Sequence, residues 1–284
     1  MEIKTLVGVD NKVILNAFND SFSDYFVPLK LTKKQLISKM LADKTDLNLS
    51  VGVFEKKKLI AFILHGFDII NNEKIVYNGG TGVIPEKRGF GLTKQMYLFI
   101  LPILIEKRIN KLILEVITKN TQAIKSYKKS GFKMRRELFC YKGEIEPLKT
   151  NNYLKIKKLE RYNWKLMESF WDIYPTWQNS RKAIGKSNHN NISLGAYIED
   201  KLVGYIVHNP ANRRVQQIAV SKNFRKERIA STLFLKLKET YGNYFSIINV
   251  DKSSKGVNDF FKKIGLENNL EQLEMELDLN KNYS

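Results

Sequence analysis

Residues 83–92 read Val83-Ile84-Pro85-Glu86-Lys87-Arg88-Gly89-Phe90-Gly91-Leu92 and lie between an apolar run and a helix-periodic segment. Glycines at such a junction let backbone approach a ligand closely, and the free N–H groups of a helix N-terminus favour an anion. The chemistry expected of this loop is pyrophosphate binding. Two other phosphate motifs fit worse. A P-loop requires Gly-Lys-Ser/Thr, whereas Gly91-Leu92-Thr93 lacks the lysine. A dinucleotide fingerprint requires a third glycine, and Lys94 occupies that region.

Downstream, Glu115 stands in the aliphatic run Lys111-Leu112-Ile113-Leu114-Glu115-Val116-Ile117. A carboxylate among such neighbours is costly to bury without a partner or a purpose. A solvent-facing strand position and a general base raised toward neutral pH are both open readings. Tyr127 follows in Asn120-Thr121-Gln122-Ala123-Ile124-Lys125-Ser126-Tyr127-Lys128-Lys129-Ser130-Gly131-Phe132. A phenol can supply a proton to a leaving thiolate.

The loop resembles the cofactor loop Q/R-x-x-G-x-G/A of the GNAT superfamily of N-acetyltransferases. Arg88, Gly91 and Thr93 fall on its defining positions, with Thr93 a departure, and Gly89 on one that is commonly glycine. The second segment is similar to that family's block N-x-x-A-x-x-x-Y-x-x-x-G-F over its whole length. The Leu-Glu-Val triplet at 114–116 is similar to that of bacterial enzymes acetylating ribosomal-protein N-termini, where the glutamate is a base acting through water. The resemblance implies acetyl-CoA as co-substrate, no metal, and a small-molecule or peptide amine as acceptor. It implies backbone N–H groups of Lys87, Arg88, Gly89, Phe90, Gly91 and Leu92 on the pyrophosphate, with Val83, Ile84, Thr93 and Ala123 also at the cofactor. Asn120 would touch the pantetheine arm, Tyr127 the sulfur. Two other functions fit the same motifs: a non-catalytic acetyl-CoA-binding regulator, and an aminoacyl transferase using charged tRNA.

The elements that must position these groups occur twice. Apolar runs at 49–54 and 59–64 flank the turn 55–58, and runs at 194–198 and 202–207 flank 199–201, each reading as a hairpin. Each half continues with a strand (80–84; 215–220), an Arg-bearing loop, a helix (about 92–107; about 229–241) and a strand (111–117; 244–250). Helical regions precede the hairpins at 12–23 with 33–42, and at 164–173 with 181–184. The fold class expected is α/β (α+β): two tandem GNAT-like domains, each a mixed, mostly antiparallel twisted sheet flanked by helices. The polar stretch 143–152, with Pro147, reads as the connector between domains at 1–148 and 152–284.

The second half departs from the plan where chemistry would sit. Arg225 and Ala230 match the loop, but Arg228 replaces a glycine. Glu115, Asn120 and Tyr127 are answered by Asn249, Ser254 and Phe261. Since phenylalanine has no proton to give, the C-terminal domain is expected to keep the fold with lost or altered chemistry, completing a substrate cleft or an interface.

With 284 residues there is room for two cores. One cysteine excludes an intrachain disulfide, and His65, His189 and His208 lack metal-ligand spacing. The net charge of +19 divides into +11 over 1–150 and +8 over 151–284. It is read as a lysine-rich solvated surface rather than a nucleic-acid site. No secretory segment or membrane span is visible, so the expected setting is cytoplasmic.

Overall fold

In the computed structural model, which describes residues 1–186 and 191–280, packing divides the chain into two compact units. The first comprises Met1–Arg135 together with the segment that begins at Leu273, and the second is Arg136–Gln272. His189 lies outside the described residues.

In the first unit, strands β1 (Glu2–Thr5), β2 (Val51–Glu55), β3 (Lys58–Ile70), β4 (Glu73–Val83) and β5 (Lys111–Ile117) lie side by side in chain order. The C-terminal half of β12 (Glu267–Asp278) follows beside β5. Pairing is antiparallel from β1 to β4 and parallel between β4 and β5. The β2–β3 hairpin turns through Lys56 and Lys57, both at positive φ, so two lysines take a conformation that glycine or asparagine usually supplies. Helices α1 (Asn11–Ser21) and α2 (Lys33–Ala42) cover one face, while α3 (Leu92–Glu106) and α4 (Thr121–Lys129) cover the other. α2 begins with a capping box between Thr32 and Gln35.

Strand alternation assigns each residue to a face. Val76, Leu112, Leu114, Val116, Met275 and Leu279 enter the core beneath α3. Tyr77, Glu115 and Glu274 therefore project to the α1–α2 side. A register shift between Leu64 and His65 marks where β4 bends.

The second unit repeats the plan. Its sheet runs β6 (Lys133–Glu144), β11 (Tyr244–Asp251), β10 (Arg214–Val220), β9 (Lys201–Asn209), β8 (Ile192–Ile198), β7 (Lys155–Lys158). Helices α7 (Ile229–Tyr241) and α8 (Lys255–Lys263) answer α3 and α4, and the short α5 (Trp164–Glu168) and α6 (Arg181–Lys186) precede the hairpin.

Linear halves and packing units differ at two strands. β6 begins in the first unit, but Tyr141, on β6, and Ile145, just beyond it, belong to the second core; Met275 and Leu279, late in the chain, belong to the first. The residues from Ile145 to Asn152 thus follow a strand most of which is already part of the second unit.

Candidate active site

The parallel ladder between β4 and β5 stops at Asn78↔Leu114. Beyond it, residues 79–83 and 115–117 continue without pairing to each other, so the strands open a gap with unshared backbone polar groups on its walls. Buried backbone N–H and C=O groups need partners, and an extended polar ligand arm is one way to provide them.

At the mouth of this gap, Gly91 caps α3 in the left-handed conformation (φ 70°, ψ 18°) and Gly89 is also left-handed at φ 83°. A Cβ built on either meets nothing within 4 Å, so the space over the loop is open. The first N–H groups of α3 face it, as an anion requires. Arg88 does not point there. It donates to both carboxylate oxygens of Asp24 at 2.6 and 2.7 Å and to the carbonyls of Ser21 and Val83 at 2.9 and 3.3 Å, bracing the loop against the end of α1. Lys87 is similarly held by Glu55 at 2.7 Å. Val83 and Ile84 lead into the loop from β4, Leu92 is the buried first residue of α3, Thr93 follows in its first turn, and Phe90 is exposed.

Asn120 caps α4, its side-chain oxygen accepting the Ala123 N–H at 3.1 Å. Tyr127 is 7% exposed, with its ring against Tyr97 and Phe132 at 6.4 and 5.8 Å. Burial pushes its phenol up to about 12, against hydrogen bonding from Thr81 and Asn78, while Tyr25 adds to the rise. The hydroxyl therefore stays protonated at neutral pH and faces the part of β4 that borders the gap. Asn78 anchors this side, donating to Tyr97 and to Thr81 at 2.8 Å each.

On the opposite face, Tyr77 donates to Glu115 Oε2 at 2.6 Å. Glu115 Oε1 is cut off from water and has no hydrogen-bond partner. Desolvation raises the Glu115 carboxyl to about 7; Tyr77 opposes the rise, Glu274 and Asp43 add to it, and Lys39 lowers it. Acid and base candidates thus stand on the two faces of one sheet, and the opening between β4 and β5 is where both can address the same atoms.

Tyr77 was not singled out from the sequence. Tyr77 ends the apolar run Ile75-Val76-Tyr77 in the middle of β4, but its partner Glu115 is remote in the chain. His65 and His208 are buried and held down to about 4, hence neutral. Among the described residues no group of His, Cys, Asp and Glu could hold a metal ion.

The second unit keeps the scaffold of the loop. Arg225 binds Asp172 at 2.9 Å and the carbonyls of Phe170 and Val220 at 3.1 and 3.4 Å, as Arg88 does in its own unit. Lys226 and Arg228 hold φ of 64° and 61°, matching Gly89 and Gly91. The parallel pairing of β10 with β11 is a single pair, Arg214↔Ser246, and a cavity of about 1290 Å³ opens beside it, lined by Trp171, Tyr205, Gln217, Asn249 and Phe261 among others. Asn249 sits in a bulge at φ 62°, and Phe261 is buried against Tyr141. Because Arg228 adopts the αL conformation at a cost of about 1–2 kcal/mol, the fold tolerates a side chain there. Gly91→Arg in the first unit is accordingly expected to fold, and to raise the KM of a pyrophosphate-bearing co-substrate by about tenfold, equivalent to some 1.4 kcal/mol. Steady-state kinetics beside a thermal melt checks this.

Comparisons with known proteins place the chain. No curated protein matches the sequence. Among solved structures, a GCN5-related N-acetyltransferase from Sphaerobacter thermophilus superposes with a TM-score of 0.74 at 13% identity, covering 98% of this chain and 95% of that one. A tandem GNAT protein from the clavulanic acid biosynthesis pathway gives 0.72 at 10% identity, with 98% of both chains covered. A GCN5-related N-acetyltransferase from Anabaena variabilis gives 0.63 at 12% identity, with 99% and 73% covered. These likenesses establish the fold. No helix among the described residues is long and apolar enough to cross a membrane. The sequence profile of the Acetyltransferase (GNAT) family matches twice, at residues 14–132 and 156–266, and the chain belongs to that family as a tandem pair of its domains.

Proposed function

We propose that the protein moves an acetyl group from acetyl-CoA to an amine, and that the chemistry belongs to the N-terminal domain. The observation that carries this is the pairing of a protonated Tyr127 on one face of the sheet with Glu115 on the other, across the gap between β4 and β5. When bound, acetyl-CoA supplies an activated thioester. The open loop at Gly89 and Gly91, with the N–H groups at the start of α3, fits its pyrophosphate.

Glu115 takes a proton from the acceptor ammonium, directly or through water, and frees the nitrogen lone pair. Its carboxyl at about 7 suits that task at neutral pH. As the C–N bond forms and the C–S bond breaks, Tyr127 donates its phenol hydrogen to the departing sulfur and regains a proton from the nitrogen. Overall an ammonium and a thioester become an amide, a thiol and one released proton. The C-terminal domain, with Phe261 and Asn249 at the two positions, keeps the scaffold without this pair.

The pH dependence follows from the raised carboxyl. Between about pH 4.5 and 7 the folded protein retains a proton that the unfolded chain has lost, so Glu115 makes stability fall as pH rises through that window. Activity moves the other way, rising through pH 7 as the carboxylate forms. Glu115→Gln is expected to flatten both profiles and lower kcat by about a hundredfold, read from rates and melting points over pH 5–9. A turnover profile unchanged from the parent would remove Glu115 from the mechanism.

A further inference from the structure

The acceptor amine must reach Glu115 from the α1–α2 side, and that side gathers three carboxylates in a chain of net charge +19. Three neighbouring elements contribute. β5 presents Glu115, with one carboxylate oxygen held by Tyr77 and the other desolvated without a partner. On β12, Glu274 projects to the same face by alternation and is 1% exposed. At the C-terminal end of α2, the Asp43 carboxylate lies directly over Gly79, where a built Cβ would come within 2.8 Å of its oxygen. Gly79 is the first residue of β4 beyond the end of the β4–β5 ladder, so Asp43 stands at the point where the gap begins.

Buried carboxylates are expensive, and cations nearby offset only part of the cost. Lys39 pairs with Asp43. Arg135 reaches Glu274 at 3.4 Å from a side chain that is 48% exposed, so much of its charge is spent in water. Glu115 has no cation of its own. Phe18 borders the same stretch of β4, 3.8 Å from a Cβ built on Gly80, and Phe18, Phe22, Tyr25 and Phe26 form consecutive ring contacts at 4.6, 5.0 and 5.4 Å. A carboxylate over Gly79 and a ring over Gly80 together suit an alkylammonium.

We propose that the acceptor is an aliphatic amine carrying two or more positive charges, with Glu274 and Asp43 as the residues that select it. This rests on the acetyltransferase reading of the same site. The reacting ammonium gives its proton to Glu115, while a second ammonium, not consumed, is held by Glu274 and Asp43 in place of Lys39 and Arg135.

The test compares a series of α,ω-diaminoalkanes with n-alkylamines of equal carbon number, using acetyl-CoA and the full-length protein. Expected is a kcat/KM at least about tenfold higher for the diamines, corresponding to some 1.4 kcal/mol. In Glu274→Gln this ratio should collapse toward unity, mainly through the KM for the diamine. Asp43→Asn is read by the same ratio and decides the matter should the first variant fail to fold. Equal use of monoamines and diamines by the parent enzyme overturns the proposal and leaves the acetyltransferase reading standing. A ratio that survives in the folded variants also overturns it. Transfer to no amine at all overturns both.

Discussion

Tyr127→Phe is expected to lower kcat by about a hundredfold to ten-thousandfold while leaving the melting temperature within a few degrees of the parent. The chain itself carries the reason to expect a folded variant. In the second unit Phe261 occupies the corresponding place on α8, 2% exposed in a well-packed cluster. A phenylalanine ring can therefore fill this position, and what the substitution removes is the hydroxyl. With its phenol at about 12, Tyr127 is a weaker acid than a free tyrosine and remains protonated. Full transfer to a thiolate of ordinary pKa near 8.5 is uphill by about three to four pKa units, so the proposed benefit is a short hydrogen bond to sulfur as its charge grows. The KM for acetyl-CoA should change little, since the loop at Gly89 and Gly91 is untouched. A variant with parental kcat would assign proton delivery to water or to another phenol.

The second large effect concerns stability. A protein ending before Leu273 is expected not to fold its N-terminal unit, even though it would contain the whole acetyl-CoA signature. Met275 and Leu279 are 0% and 2% exposed and belong to the core beneath α3. Deleting a buried aliphatic side chain of this kind costs about 2–5 kcal/mol, and a domain has only about 5–15 kcal/mol in total. Losing both, along with the backbone pairing that β12 offers β5, exhausts that margin. The fragment 1–150 should therefore be insoluble or unfolded by circular dichroism, and Met275→Ala in the intact chain should lower the melting temperature measurably. A cooperative melt for the isolated fragment would show that the late strand is dispensable.

What the sequence made legible follows from how local each signal is. The two hairpins, the loop, α3 and α4 each carry their pattern within some twenty residues, and their repetition in the second half reinforced it. β6 and β12 escaped notice, yet Leu273, Met275, Leu277 and Leu279 alternate with polar residues as a half-buried strand should. Their neighbours are set by topology across more than a hundred residues, and no local pattern says which sheet a late strand will join. The same distinction holds at the site. Tyr127 and Glu115 stand out because motif and environment mark them, and strand alternation turns Glu115 to the face away from α4. Asp43, Tyr77 and Glu274 come from three separate regions and meet only in the fold. Arg88 matches the motif, but its bonds to Asp24 and Ser21 give it a bracing task that spacing alone does not disclose.

The return of the chain to its first unit at Leu273 also sets a clock on biosynthesis. Residues up to Arg135 are made first, and about 138 further positions must be translated before the strand that closes that unit exists. At roughly 5–20 residues per second this is a wait of about 7–28 s, during which the edge of β5 and the apolar surface under α3 lack their cover. A nascent chain in that interval is a natural client for a chaperone, and codon choice over 136–272 becomes a determinant of yield.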